Sequence, residues 1–141
     1  MYQGAEVSFG TAAKIAVAPP HSMFFISDPA NEVVPKIDGR NPTVWATPSC
    51  VVVGCLMFQD GETELTLLAG EQAERAAPLL VADEQMEQVF EGGLETPGNV
   101  LIVSTSEKQI LLRLTVPSVT TRLRIWTNHP TEPEKITVLA G

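Results

Sequence analysis

Nine residues near the middle of the chain, CVVVGCLMF from Cys50 to Phe58, are apolar almost without a break. A run of this kind fits a central β-strand covered on both faces. A covered strand needs neighbours, and the rest of the chain supplies them. GAEVSFG alternates Ala5, Val7 and Phe9 against Glu6 and Ser8; KIAVA, SMFFIS and TELTLL follow, and NVLIVST, QILLRLTV, TTRLRIWT and KITVLA close the sequence. About eight to ten short strands at roughly regular spacing predict an all-β fold, an antiparallel β-sandwich of jelly-roll or Greek-key type with at most one or two short helices. The length of 141 residues fits one domain spanning 1–141.

Turn chemistry divides the runs. Asp60-Gly61 between two of them is a hairpin signal. DPANEVVPKIDGRNPT, residues 28–43, reads as a long loop because prolines, asparagines and a glycine interrupt it. Residues 71–91 stay ambiguous: they are rich in helix formers, but Pro78 interrupts them. The alternatives are a helix over 71–77 or one running from Asp83 as its cap to Val89, with PLLVA suiting a strand between them.

Seventeen acidic residues against nine basic ones give a net charge of −8. That argues against nucleic acid as a direct ligand, since phosphates are held by Lys and Arg. No apolar run approaches the ~18 residues of a membrane span. MYQGAEVSFG lacks the basic and apolar regions of a signal peptide, so a cytoplasmic location is expected. Cys50 and Cys55 lie five steps apart on the same run. Along a strand that is about 16 Å, against the roughly 4.4–6.8 Å a disulfide spans, and an odd offset puts the side chains on opposite faces. Two buried free thiols are expected.

Chemistry-bearing motifs are sparse. His21 and His129 are the only histidines, and no Cys/His spacing suits zinc. Asp28, Asp38 and Asp60 fall in loops but match no EF-hand spacing. There is no G-x-S-x-G elbow and no phosphate loop. No metal, cofactor or catalytic residue is therefore expected, and His129, in the turn TNHPTEP, is read as structural or exposed.

Charge placement is more informative. Three of the five arginines fall in LLRLTVPSVTTRLRIWTN, Leu111–Asn128. Paired as a hairpin with Val116 opposite Thr121, this stretch puts Leu112, Leu114, Leu123 and Ile125 on a core face. The other face then carries Arg113 opposite Arg124, Arg122 opposite Thr115, and Trp126 opposite Leu111. Ten acids lie between Asp60 and Glu95, with only Arg75 among them. The arginines are thus expected mainly as counter-charges to acids, in exposed pairs of roughly 0–1 kcal/mol each. Asp83, Glu84, Glu87, Glu91 and Glu95 are the candidate surface for a basic protein partner, which opposite charge would steer. Arg113, Arg122, Arg124 and Trp126 form the alternative patch, because Arg and Trp are enriched at binding hot spots.

Three stretches, GETELTLL, VFEGGLETPGNVLIVST and LLRLTVPSVTTRLRIWTN, carry a resemblance in the order and spacing of strands. Over Val51–Asn128 the chain resembles the small bacterial competence-associated family that includes an inhibitor of a DNA-entry nuclease. That resemblance implies a β-sandwich acting by protein contact without catalysis, and it carries over no individual site residue. The first functional reading is a protein-binding domain, an inhibitor or immunity-type partner of a basic protein such as a nuclease. A sugar-binding or small-molecule-binding sandwich using Trp126 or Trp45 is the second, and a small enzyme using His129 the third. A homo-oligomer is compatible with each.

Overall fold

The computed structural model describes residues 5–7, 12–37 and 43–141. Two of the features read from the sequence, Ser8-Phe9 of the first run and Asp38, lie outside them. Among the described residues eleven strands form two sheets. The first holds, from edge to edge, β1 (Ala5–Val7), β9 (Ile110–Thr115), β8 (Val100–Ser104), β3 (Met23–Ser27), β5 (Cys50–Gly54) and β4 (Val44–Thr47). The second holds β2 (Ala12–Val17), β6 (Thr63–Ala69), β11 (Lys135–Ala140), β10 (Thr120–Thr127) and β7 (Glu87–Glu95). Two pairings are parallel, β1 with β9 and β6 with β11; the others are antiparallel. The expected all-β sandwich is the architecture found.

The core lies between the sheets. Phe24, Val53, Leu101, Leu112 and Leu114 of the first sheet meet Leu65, Leu67, Leu94, Leu123, Ile125 and Val138 of the second, each 0–1% exposed. Period-2 alternation sets this, as β6 shows by burying every second residue from Thr63 to Ala69. β5 is buried along its whole length, as the apolar run requires.

Helix α1 (Glu71–Ala82) lies on the outer face of the second sheet. Ala73, Ala76, Ala77 and Leu80 recur at the i, i+3, i+4, i+7 spacing of a helical stripe. They pack on Trp126, Leu139, Leu68 and Met86. This corrects the sequence reading of residues 71–91. PLLVA is helical, with an exposed Pro78 inside the helix, and Asp83 is the residue that ends it. The acid-rich stretch after it is strand β7, glycines included. Gly92 faces Leu123 across the pair, and a Cβ there would sit 3.0 Å from the Phe90 ring, which fills the space instead.

Both expected hairpins are connections between sheets. β5 and β6, on either side of Asp60-Gly61, belong to different sheets, as do β9 and β10 on either side of Pro117. The eight residues 55–62 are too long for a two-residue hairpin turn, and Gly61 at φ 132° turns the chain across the sandwich. The Arg113–Arg124 pairing therefore does not exist. Arg113 pairs in register with Glu6 and Ile102, whereas Arg124 pairs with Glu91 and Leu139. The core half of that expectation stands without the hairpin: Leu112, Leu114, Leu123 and Ile125 are all buried.

Candidate functional site

Loops 18–22, 55–62, 83–86, 105–109 and 128–134 gather at one end of the sandwich. Backbone bonds tie 18–22, 55–62 and 128–134 together: Cys55 N–H donates to Ser22 O, Leu56 N–H to Pro133 O, and Glu64 N–H, just after the second of these loops, to Glu134 O, each at 2.8–2.9 Å. His21 Nδ1 and Ser106 Oγ, from two different loops, lie 2.7 Å apart. These five loops carry Asp60, Glu62, Asp83, Glu84, Glu107, Glu132 and Glu134 against a single cation, Lys108. The negative charge foreseen for one stretch of chain is thus spread over one end of the fold.

The five acids of the sequence-derived patch do not share one face. Asp83 accepts a hydrogen bond from Gln85 N–H at 2.9 Å and closes the turn after α1. Glu84 and Glu87 line a cleft of about 190 Å³ with Met86, Asn128, His129 and Pro130. A register shift against Ile125/Trp126 interrupts β7. Beyond that shift Glu91 stands opposite Arg124 on the outer face of the sheet, while Glu87 stands opposite the inward Thr127. Glu91 takes two donors from Arg122, Nε at 3.0 Å and the adjacent Nη2. Those bonds, then the guanidinium charge, hold its carboxyl below the usual range. Glu95 accepts from Asn31 Nδ2 at 3.3 Å. Asp83, Glu84 and Glu87 are therefore the members of the set at the acidic end.

The arginine patch is divided as well. Arg113 pairs with Glu6 at 3.6 Å on the outside of the first sheet. Arg122 and Arg124 lie on the outside of the second, where Arg124 Nε is buried with no hydrogen-bond partner among the described residues. Trp126 is 3% exposed beneath α1 and presents no ring to a ligand.

Sequence reasoning did not find a larger cavity at the acidic end. It is a groove of about 410 Å³ on the outer side of β3–β5–β4, with Met23, Trp45, Met57 and Phe58 as apolar walls and Thr131 and Glu132 on its rim. Phe58 is 55% exposed. Gly54 makes the wall: a Cβ there would stand 2.7 Å from Thr43 Oγ1 and 3.5 Å from the Trp45 ring. Another wall holds strain. His21 and Ser22 are consecutive non-glycine residues at φ 60° and 57°, each costing about 1–2 kcal/mol. Strained backbone of this kind clusters at functional sites. The signal available in the sequence was SMFFIS and Phe58, which were read as parts of strands.

His129 organises the rim. Its Nδ1 accepts from Glu132 N–H at 2.9 Å and from Thr131 N–H at 3.2 Å, which places those two residues at the groove. A second groove, of about 290 Å³, lies where loop 28–37 crosses the same sheet, between Pro29 and Val34 on one side and Phe25, Ile102 and Ile110 on the other. Among the described residues no three His, Cys, Asp or Glu side chains are grouped to hold a metal, and no helix is long and apolar enough to cross a membrane. Asp28 is buried at the other end of the sandwich, where it accepts from Ala30 N–H at 2.8 Å and Gly98 N–H at 2.7 Å. Cys50 and Cys55 are both free and buried.

No protein-family model matches the chain, and no curated protein or solved structure is significantly similar to it.

Proposed function

We propose that this chain is a non-catalytic binding domain whose acidic loop end docks a basic protein. The observation that carries the proposal is the imbalance at that end, seven carboxylates to one lysine over five loops, three of which are joined by backbone hydrogen bonds. A field of one sign raises association rates with an oppositely charged partner and disfavours like-charged ones. Within the acids read from the sequence, Glu84 and Glu87 carry the docking and Asp83 holds their turn. Glu91 and Glu95 extend the surface along β7, the exposed edge of its sheet. The arginines act as counter-charges, Arg122 to Glu91 and Arg113 to Glu6.

The resemblance to the competence-associated nuclease-inhibitor family supplies the class of partner, a bacterial nuclease whose phosphate groove is basic. Two free thiols suit the reducing cytoplasm. The experiment is retention of host proteins on the full chain, followed by affinity of the retained protein across a salt series. Association should weaken as salt rises, because exposed charges are screened over about 8 Å at physiological ionic strength. Glu84→Lys with Glu87→Lys should weaken it more than Arg122→Ala with Arg124→Ala. Loss through the arginine changes alone would move the working surface to the outer face of the second sheet.

The small-molecule reading keeps one of its two tryptophans. Trp126 is sealed, but Trp45 lines a groove whose volume falls in the range of ligand pockets. A tryptophan emission change on adding free sugars would favour that reading.

A further inference from the structure

Three features meet at the groove beside Trp45. Its walls are apolar and adaptable: Met23 and Met57 are unbranched thioethers that mould to different shapes, and Phe58 stands 55% exposed beside them. Its rim is acidic, through Glu132. Loop 128–134 also separates it from the cleft that holds Glu84 and Glu87, lending Thr131 and Glu132 to one cavity and Asn128, His129 and Pro130 to the other. A chain that crosses this loop meets a hydrophobic hole on one side and carboxylates on both.

We propose that the groove takes an apolar side chain from a peptide segment that carries lysine or arginine beside it, the anchor of the basic partner. The inference rests on the proposed docking of a basic protein and adds where that protein inserts. Interfaces of this type concentrate their energy in one or two anchors seated in pockets, and the surrounding charge sets orientation and rate. The charge complementarity selects the occupant. A neutral apolar ligand would leave Glu132 and its neighbours unanswered, and an acidic or phosphorylated segment would be repelled.

A random heptapeptide library displayed on phage and selected against the full chain tests this. The enriched sequences should place Phe, Leu, Met or Trp within two positions of Lys or Arg. A fluorescein-labelled copy of an enriched peptide should bind by anisotropy, and its affinity should fall at least tenfold in Phe58→Ser and in Glu132→Lys. Glu71→Lys, at the exposed start of α1 on the outer face of the other sheet, should leave it unchanged. Phe58 is exposed and Glu132 lies on a rim, so neither change threatens folding, and circular dichroism confirms that. No enrichment, or enrichment of acidic sequences, overturns the proposal. If Glu84→Lys with Glu87→Lys removes binding while Phe58→Ser does not, docking of a basic partner stands and the groove is not its anchor site. If neutral apolar peptides bind the groove without salt dependence, the site stands, but neither the basic occupant nor the docking reading does.

Discussion

The two sheets solve the same problem in different ways. Each has apolar residues on its outer face as well as its inner one, and something must cover them. On the second sheet α1 does this with a helical stripe of small residues, and Trp126 and Leu139 vanish beneath it. On the first sheet the cover is loop 28–37, which has no regular structure of its own. It reaches the sheet through polar contacts: Val33 N–H donates to Ser49 Oγ at 3.0 Å, and Thr47 Oγ1 donates to Val33 O at 2.6 Å. A helix seals a face because its side chains recur on one side. A loop pinned at a few points leaves gaps, and the grooves of about 290 and 410 Å³ both lie on the face it crosses.

The two tryptophans give the sharpest break of that comparison. Trp126→Ala should cost about 3–5 kcal/mol, the range for emptying a buried aromatic site, because α1 cannot collapse onto the sheet without losing its own packing. Trp45→Ala should cost less, since water already reaches one side of its ring. Denaturant midpoints of the two variants measure the difference. Equal losses would mean that loop and helix seal their faces equally well.

Which parts of this contrast were legible in the sequence follows from what each pattern records. Alternation within a strand records which side chains face a core, so Leu112, Leu114, Leu123 and Ile125 were placed correctly. It carries no information on which strand is the neighbour. LTVPSVTTRL reads the same whether Pro117 closes a hairpin or starts a crossing between sheets, and the Arg113–Arg124 pair was lost to that ambiguity. α1 was obscured because Pro78 suggested a break, yet its ring sits on the exposed side, where a missing N–H is tolerated. The groove was invisible for a different reason. It is built from Met23, Trp45 and the adjacent Met57 and Phe58, which come from three separate segments, and no local spacing reports that they meet.

The thiols extend the comparison to alkaline pH. Cys50, beneath the loop-covered face, is pushed up to about 12 by burial and then by the nearby Glu32 carboxylate. Cys55, at the groove wall, is raised to about 11 by burial, with a Thr63 hydrogen bond acting the other way. In the unfolded chain both titrate near 9.0. The folded state therefore holds a proton that the unfolded state releases. This stability is complete below pH 9 and declines as pH rises toward the folded values, by up to about 1.4 kcal/mol per pH unit for each thiol. Cys50→Ala should flatten the fall in denaturant midpoint between pH 9 and 11 more than Cys55→Ala. The reverse order would place the wetter site under the loop.

The smallest effect belongs to the Arg122–Glu91 pair. Both side chains are about half exposed, Arg122 at 55% and Glu91 at 49%. The pair lies on the outer face of the second sheet, the same face as Trp126 on the same strand: one position is open to water and the other sealed by a helix. Attraction between exposed charges is offset by the entropy of holding two long side chains still, and salt screens what remains. Arg122→Ala should leave the denaturant midpoint at pH 7 close to that of the wild type. The Glu91 carboxyl is held low by Arg122, so its contribution is present above the unfolded carboxyl range and fades as pH falls through the folded value. The variant should accordingly lose the low-pH part of the wild-type titration of Glu91, read by carboxyl NMR shifts, while its stability barely moves. A large fall in midpoint would show instead that Arg122 holds β7 to β10, and that the exposed half of this face matters to the fold as much as the half beneath α1.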